Sequence, residues 1–314
     1  MFDSRKTTGL LLGTASAVIG GAWQVATRHA TTTTIAPFDL AILRYGIPAL
    51  LLLPVLLRVG LVPHVVPRRL LALMVMGAGL PFGLVAMTGT QFAPSAHMGV
   101  LMAGASPLIA AALSWALWRD RPDGWRGAGL VLMAIGVALL GSTSISGLTS
   151  GTWKGDLLFL LAAAMWAGFT LSFPRTGLTP WQAAALVNAW SALLLAPWLL
   201  WRGDVQLFSA PAGDIAFQAL WQGVLAGLLG LWTFSIAIAR LGAAGAAAFG
   251  ALVPAVSALG GWWWLDDALT TVDAGAVAVA VVGVVMASGA LSQALPPKRA
   301  SWRRSKRWQR PTNI

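Results

Sequence analysis

Apolar stretches of about twenty residues recur from one end of the chain to the other, and that recurrence limits the fold more than any motif does. A helix needs about 20 apolar residues to cross a bilayer core some 30 Å thick. Ten segments meet this length: 8–27, 38–57, 69–91, 96–118, 125–142, 156–174, 181–201, 215–239, 243–265 and 272–292. Of 314 residues, 57% are hydrophobic and only 10% charged, against roughly 25% charged in soluble domains. Backbone groups in hydrocarbon must bond within their own segment, which selects helices. The basic start, Met1–Lys6, resembles a signal peptide, but the apolar run continues to about Val25 and a second follows, which points to an uncleaved first helix.

Charge orients the spans. With a cytoplasmic N-terminus, the inner segments carry Arg5, Lys6, Arg58, Arg68, Arg69, Arg119, Arg121, Arg126, Arg175 and Arg240. The outer loops carry Arg28, Lys154 and Arg202, a ratio of 10 to 3 before the tail is counted. The positive-inside rule then places both termini in the cytoplasm. Trp115, Trp118, Trp198, Trp201 and Trp262–Trp264 fall at span ends, where an interfacial belt is expected. The net charge of +11 reflects this topology and a basic tail with seven Lys and Arg from Lys298 to Arg310. Beside the membrane the tail attracts anionic lipid at about 1 kcal/mol per basic residue, and nucleic acid is not expected as a partner.

The chain repeats itself. At an offset of 143, Trp23 matches Trp166, Pro37 matches Pro180 and Pro54 matches Pro197. At an offset of 147, Gly83 matches Gly230, Pro107 matches Pro254, Trp115 matches Trp262 and Gly136 matches Gly283. Five helices per copy is an odd number, so the copies enter the membrane from opposite sides. The fold class read here is an all-α integral membrane protein, ten transmembrane helices as two inverted five-helix repeats. Its parts are a cytoplasmic N-terminus (1–7), a first repeat (8–142), a periplasmic linker (143–155), a second repeat (156–292) and the basic cytoplasmic tail (293–314). Inverted repeats suit alternating access about a midplane site; duplication without turnover, as in a receptor or scaffold, is the alternative.

Gly20-Gly21-Ala22-Trp23, Pro37-Phe38-Asp39-Leu40 with Leu43-Arg44-Tyr45, Pro107 and Pro254, and Trp115–Arg121 resemble the drug/metabolite transporter superfamily, specifically its EamA family. The resemblance covers roughly residues 8–292. It implies a carrier in the bacterial inner membrane, often an exporter of amino acids or other metabolites; drug export and uptake are the alternatives within transport. Members often carry Glu after the fourth and ninth helices. This chain has no Glu, and Asp120 and Asp266-Asp267 occupy those places.

Candidate substrate-binding residues follow. Arg44 lies about six residues, or roughly 9 Å, past Pro37, where a charge costs about 2.5–3.5 kcal/mol at a helix centre. It either holds a substrate carboxylate or serves structure or gating. Pro107 and Pro254 each remove a helix hydrogen bond, so a hinge, with Ser106 or freed carbonyls facing cargo, competes with a packing kink. Trp23, Trp166 and Trp232 are either cavity walls or packing. Gln24, Gln91, Asn188 and Gln222 are polar groups within or beside spans that need partners when buried. His97, near the outer start of the fourth span, is either titratable at neutral pH or merely polar. Asp39, Asp156 and Asp273 sit near span ends, where water is expected to keep them ionised, so proton coupling through a buried carboxylate is disfavoured. Gly79–Gly83 and Gly223–Gly227 read as helix contacts.

Enzyme readings fare badly. Gly104-Ala105-Ser106-Pro107 is faintly similar to an intramembrane serine protease motif, but all three His, at 29, 64 and 97, precede it. With no Cys, no metal-spaced cluster and no phosphate-cradling loop, neither metal nor cofactor is expected. Small-molecule cargo and lipid are the expected partners, and the residues do not separate a monomer from a homodimer.

Overall fold

The computed structural model describes residues 4–288 apart from 120, 121, 123, 147, 203, 204, 231, 235, 238, 239 and 241–248. The basic tail therefore lies outside the described residues, as does Asp120. Regular structure among the described residues is entirely helical. Among the described residues, seven helices are long and apolar enough to cross a membrane. They are α1 (Ser4–Thr33), α3 (Arg68–Gly89), α4 (Ser95–Trp118), α5 (Gly124–Ser146), α6 (Thr152–Arg175), α7 (Pro180–Arg202) and α8 (Ala212–Phe234). An eighth, α2, is a pair, Pro37–Leu51 and Leu53–Val59, bent by 65°. Two shorter apolar helices, α9 (Leu252–Leu265) and α10 (Thr271–Ala287), stand where the last two spans are expected. At 14 and 17 residues they reach about 21 and 26 Å at 1.5 Å per residue, so length alone supports seven or eight spans.

Prolines accompany the break of α2 and two of the three π-helical stretches among the described residues; the third, Ala219–Gly230 in α8, contains none. A proline has no N–H and clashes with the carbonyl four residues back. Pro48 strips the Arg44 carbonyl of its donor, and Ile42–Gly46 is π-helical around it. Pro107 does the same at Ala103, within the π-helical Gly99–Gly104. Pro54 acts on Leu50, beside the break of α2 at Leu52. Pro254 falls in the first turn of α9, where that N–H has no helical partner to lose. The expected mid-helix hinge at Pro254 is thus not present in the described helix: Pro254 is buried, and its Cα would stand 2.9 Å from a Cβ added to Gly99. Its counterpart Pro107 is half-buried. Pro197 is tolerated inside a continuous α7, although its counterpart Pro54 adjoins the bend.

Helix packing respects the repeat. α1 packs on α9 and α8, while α6, its counterpart, packs on α4 and α3; α2 packs on α8, and α7 on α3. Three further contacts between the halves, α5 with α10, α2 with α7 and α4 with α9, map onto themselves, whereas those of α4 with α10 and of α5 with α6 have no equally extensive counterpart. Helices α4 and α9 also end alike, on left-handed Arg119 (φ 58°) and Asp266 (φ 52°), 147 positions apart. The α5–α10 seam runs on small residues: a Cβ on Gly283 would lie 2.7 Å from Met133 Cγ, and one on Gly129 would lie 2.6 Å from the Gly283 carbonyl.

Both expected glycine pairs are helix contacts. Ile47 faces Gly223 at 2.8 Å from an added Cβ, and Pro48 faces Gly227 at 2.6 Å. Gly83 lies directly under the Tyr45 hydroxyl, and Gly79 under Ser191. Trp115, Trp118, Trp201, Trp262, Trp263 and Trp264 are exposed around the bundle, as a lipid-interface role requires; Trp198 instead stacks on Phe38 at 3.9 Å. Replacing Gly283 by Val is expected to lower stability by about 1–3 kcal/mol, whereas Gly275→Ala, with nothing within 4 Å, is expected to leave the melting of purified protein nearly unchanged.

Candidate functional site

Helix α3 breaks at Gly79, whose backbone is extended (φ −91°, ψ −155°). Two side chains brace the break: Leu80 N–H, which has lost its helical acceptor, donates to Ser191 Oγ at 2.9 Å, and Tyr45 Oη donates at 2.7 Å to the Gly79 carbonyl, which also accepts from Gly83 N–H at 3.0 Å. One partner comes from α2 and the other from α7, so a single break joins the two halves.

Beside this junction lies the polar seam of α1 and α8. Trp23 Nε1 donates to Gln222 Oε1 at 2.7 Å. Gln222 Nε2 reaches Thr27 Oγ1 at 3.0 Å and Gln218 Oε1 at 3.1 Å, and Gln218 Nε2 reaches the Ala26 carbonyl at 2.8 Å. Gln222 is therefore spent on structure. Arg44, on the π-helical turn of α2, lays its guanidinium over the Trp23 ring at 4.3 Å. Trp23 faces Phe82 at 6.5 Å, Phe82 faces Trp166 at 5.4 Å and Trp166 faces Phe169 at 5.2 Å. Three buried side-chain atoms here have no hydrogen-bond partner: Arg44 Nε, Arg44 Nη1 and Gln24 Oε1.

A second cluster occupies the end of the bundle where α1 finishes. Arg28 Nε donates to both Asp267 oxygens, at 2.7 and 2.9 Å, and its Nη1 donates to the carbonyls of Thr90 (2.6 Å) and Ala93 (2.8 Å). Ser95 N–H donates to Asp267 Oδ2 at 3.0 Å, and Ser257 Oγ donates to the Ser95 carbonyl at 2.6 Å. His97 sits between two carboxylates: Nδ1 is 2.8 Å from Asp156 Oδ1, and Nε2 is 3.7 Å from Asp273 Oδ1. Asp273 Oδ2 closes a capping box on α10 with Thr270 N–H (3.0 Å) and Oγ1 (2.8 Å), while Oδ1 has no hydrogen-bond partner. α1, α3, α4, α6, α9 and α10 thus meet through charge at one end.

The sequence-derived candidates divide accordingly. Trp23, Gln24, Arg44, Trp166 and Gln222 belong to the inter-half seam. His97 belongs to the charged end. Asn188 returns its amide to the Ala184 carbonyl at 2.8 Å on its own helix. Trp232 is 36% exposed and faces Trp181 at 6.5 Å, and Ser106 is half-buried. One expectation is overturned. Asp39, Asp156 and Asp273 are buried, at 6%, 6% and 5% exposure, and the missing-carboxylate argument against proton coupling falls with it. Arg28, expected in an outer loop, lies inside α1. Thr270-x-x-Asp273 is a capping signature that would have flagged Asp273; nothing in sequence spacing pairs Arg28 with Asp267, 239 residues on.

These features, apolar helices with polar groups joining two similar halves, are those of a multi-pass helical membrane protein. The EamA-like transporter family matches residues 7–142 and again 153–289, and the chain belongs to that family. It is 28% identical over 193 residues to the uncharacterized transporter YwfM of Bacillus subtilis (strain 168), covering 61% of this chain and 64% of that protein. A solved crystal structure with 19% identity matches 92% of this chain and all of its own, with a TM-score of 0.60, and shares the fold.

Removing His97 leaves Asp156 and Asp273 buried together without their imidazole. His97→Leu is therefore expected to destabilise the protein by about 3–5 kcal/mol, with Asp156→Asn in the same chain recovering part of the loss; melting of the purified variants measures both. Gln222→Leu, which orphans Trp23 Nε1 and Thr27, is expected to cost about 1–3 kcal/mol in the same assay.

Proposed function

We propose that the protein is a secondary carrier that moves a small metabolite across the bacterial inner membrane by alternating access, with efflux of an amino acid or related compound favoured. The observation that carries this reading is the packing between the halves, most of which maps onto itself when α1–α5 are exchanged for α6–α10. Exchange of two conformations between such halves turns a cavity from one side to the other. The reading takes α9 and α10 as the ninth and tenth spans and both termini as cytoplasmic. Arg28–Asp267 and the His97 carboxylates then lie at the periplasmic end, as contacts to be released when that end opens. Arg44 and Trp23 lie on the seam that both conformations share.

Vesicles reconstituted with the protein and loaded with the twenty standard amino acids are expected to lose at least one of them faster than protein-free vesicles, followed by mass spectrometry of the external buffer. Retention of all twenty, with purified protein correctly inserted, would contradict amino-acid efflux. Retention in both directions across a wider metabolite mixture would contradict carrier function.

A further inference from the structure

Arg44 is the unexplained charge in this structure. Two of its three guanidinium nitrogens, Nε and Nη1, are shut off from solvent without a hydrogen-bond partner. A guanidinium keeps its charge in proteins, and a buried charge without an acceptor is costly. The group is held nonetheless. Its Cζ lies 4.3 Å from the Trp23 ring centroid and 5.7 Å from that of Tyr45. Trp23 is itself fixed by its bond to Gln222, and Tyr45 by its bond to Gly79. Rigid rings thus cover one face of the guanidinium, the Tyr45 hydroxyl lies within its reach, and Nε and Nη1 are left without a partner.

The edges of the guanidinium specify the ligand. A carboxylate engages a guanidinium along one of two edges, Nε with one Nη or the two Nη together. Each edge here includes an unsatisfied nitrogen. We infer that Arg44 is the docking point for a carboxylate on the cargo, and that the cargo's apolar or aromatic body lies along Trp23, Phe82 and Trp166. This inference deepens the carrier reading and rests on it. A single guanidinium among aromatic rings matches one negative charge on an otherwise apolar molecule. The backbone reinforces the placement. Arg44 sits on the π-helical turn that Pro48 enforces, and π-turns within α-helices recur at functional sites. Its carbonyl stands 3.4 Å from where a Cβ on Gly227 of α8 would be, which puts the guanidinium's own turn against the opposite half.

The test uses matched probes on the full purified chain: phenylacetate against phenylacetamide, and L-phenylalanine against L-phenylalaninamide. Each pair keeps the body and changes the carboxylate. A ligand that binds the folded state alone raises the melting temperature in proportion to ln(1 + [L]/Kd). At least one carboxylate is expected to raise it and its amide to leave it unchanged, with Arg44→Gln weakening carboxylate binding roughly 10- to 100-fold, as loss of hydrogen bonds to a charged group implies. Equal shifts from acid and amide, no shift from any of the four, or a full shift retained in Arg44→Gln would each overturn the inference. The wild-type comparison decides on its own if that variant does not fold. Vesicle flux separates the two readings: equal flux of acid and amide removes the carboxylate site and leaves the carrier, while selective binding with no flux of any probe removes the carrier and leaves the site.

Discussion

The architecture depends on where freed backbone groups find partners. In hydrocarbon an unpaired carbonyl or N–H costs several kcal/mol, yet this chain places Pro48, Pro54 and Pro107 within its helices. Each proline loosens the turn behind it, and the structure answers with π-helical turns at Ile42–Gly46 and Gly99–Gly104 and with side-chain partners at Gly79. Ser191 accepts the Leu80 N–H that the Gly79 break releases, and Tyr45 adds a second donor to the Gly79 carbonyl. Because they come from different halves, correcting a local defect also docks the halves on each other. A straight pair of helices would need no such docking.

Polar side chains are distributed by the same logic. Gln218, Gln222, Thr27 and Trp23 satisfy one another along the α1–α8 seam, and Arg28 with Asp267, Thr90 and Ala93 does so at the bundle end. Arg44 stands apart because its surroundings supply aromatic faces and no acceptor for Nε and Nη1. Gln24 Oε1, Ser95 Oγ and Asp273 Oδ1 also lack partners, but Arg44 is the cation among them. The His97 cluster is the other concentration of charge. There two carboxylates flank one imidazole, which joins the starts of α4, α6 and α10.

Much of the fold was legible in the sequence because it follows from length and repetition. Apolar segments of twenty residues impose helices, and paired prolines and tryptophans at offsets of 143 and 147 expose the duplication. The Gly79–Gly83 and Gly223–Gly227 pairs were legible as contacts because a missing Cβ has one simple use in a packed helix. Proline chemistry foresaw distortion at Pro107, but not that Pro254, in the equivalent place, would fall in a first turn where no bond is lost. Asp156 and Asp273 were misjudged for a related reason. Position near a span end suggests water, and only packing shows that His97 and neighbouring helices exclude it.

Arg44, Trp23 and Gln222 could be nominated from the sequence as charged or polar groups in apolar spans, since each needs a partner wherever it is buried. What their side chains meet was decided by tertiary structure. Gln222 is consumed by Trp23 and Thr27, Asn188 by its own helix, and Trp232 turns outward, while Arg44 alone among the charged candidates keeps unsatisfied donors. The sequence by itself determined the helical class, the membrane setting and the duplication, because hydrophobic length and periodicity act locally along the chain. The pairing of Arg28 with Asp267, the burial of the three aspartates and the open edges of Arg44 depend on contacts between residues up to 239 positions apart, which only the packed halves bring together.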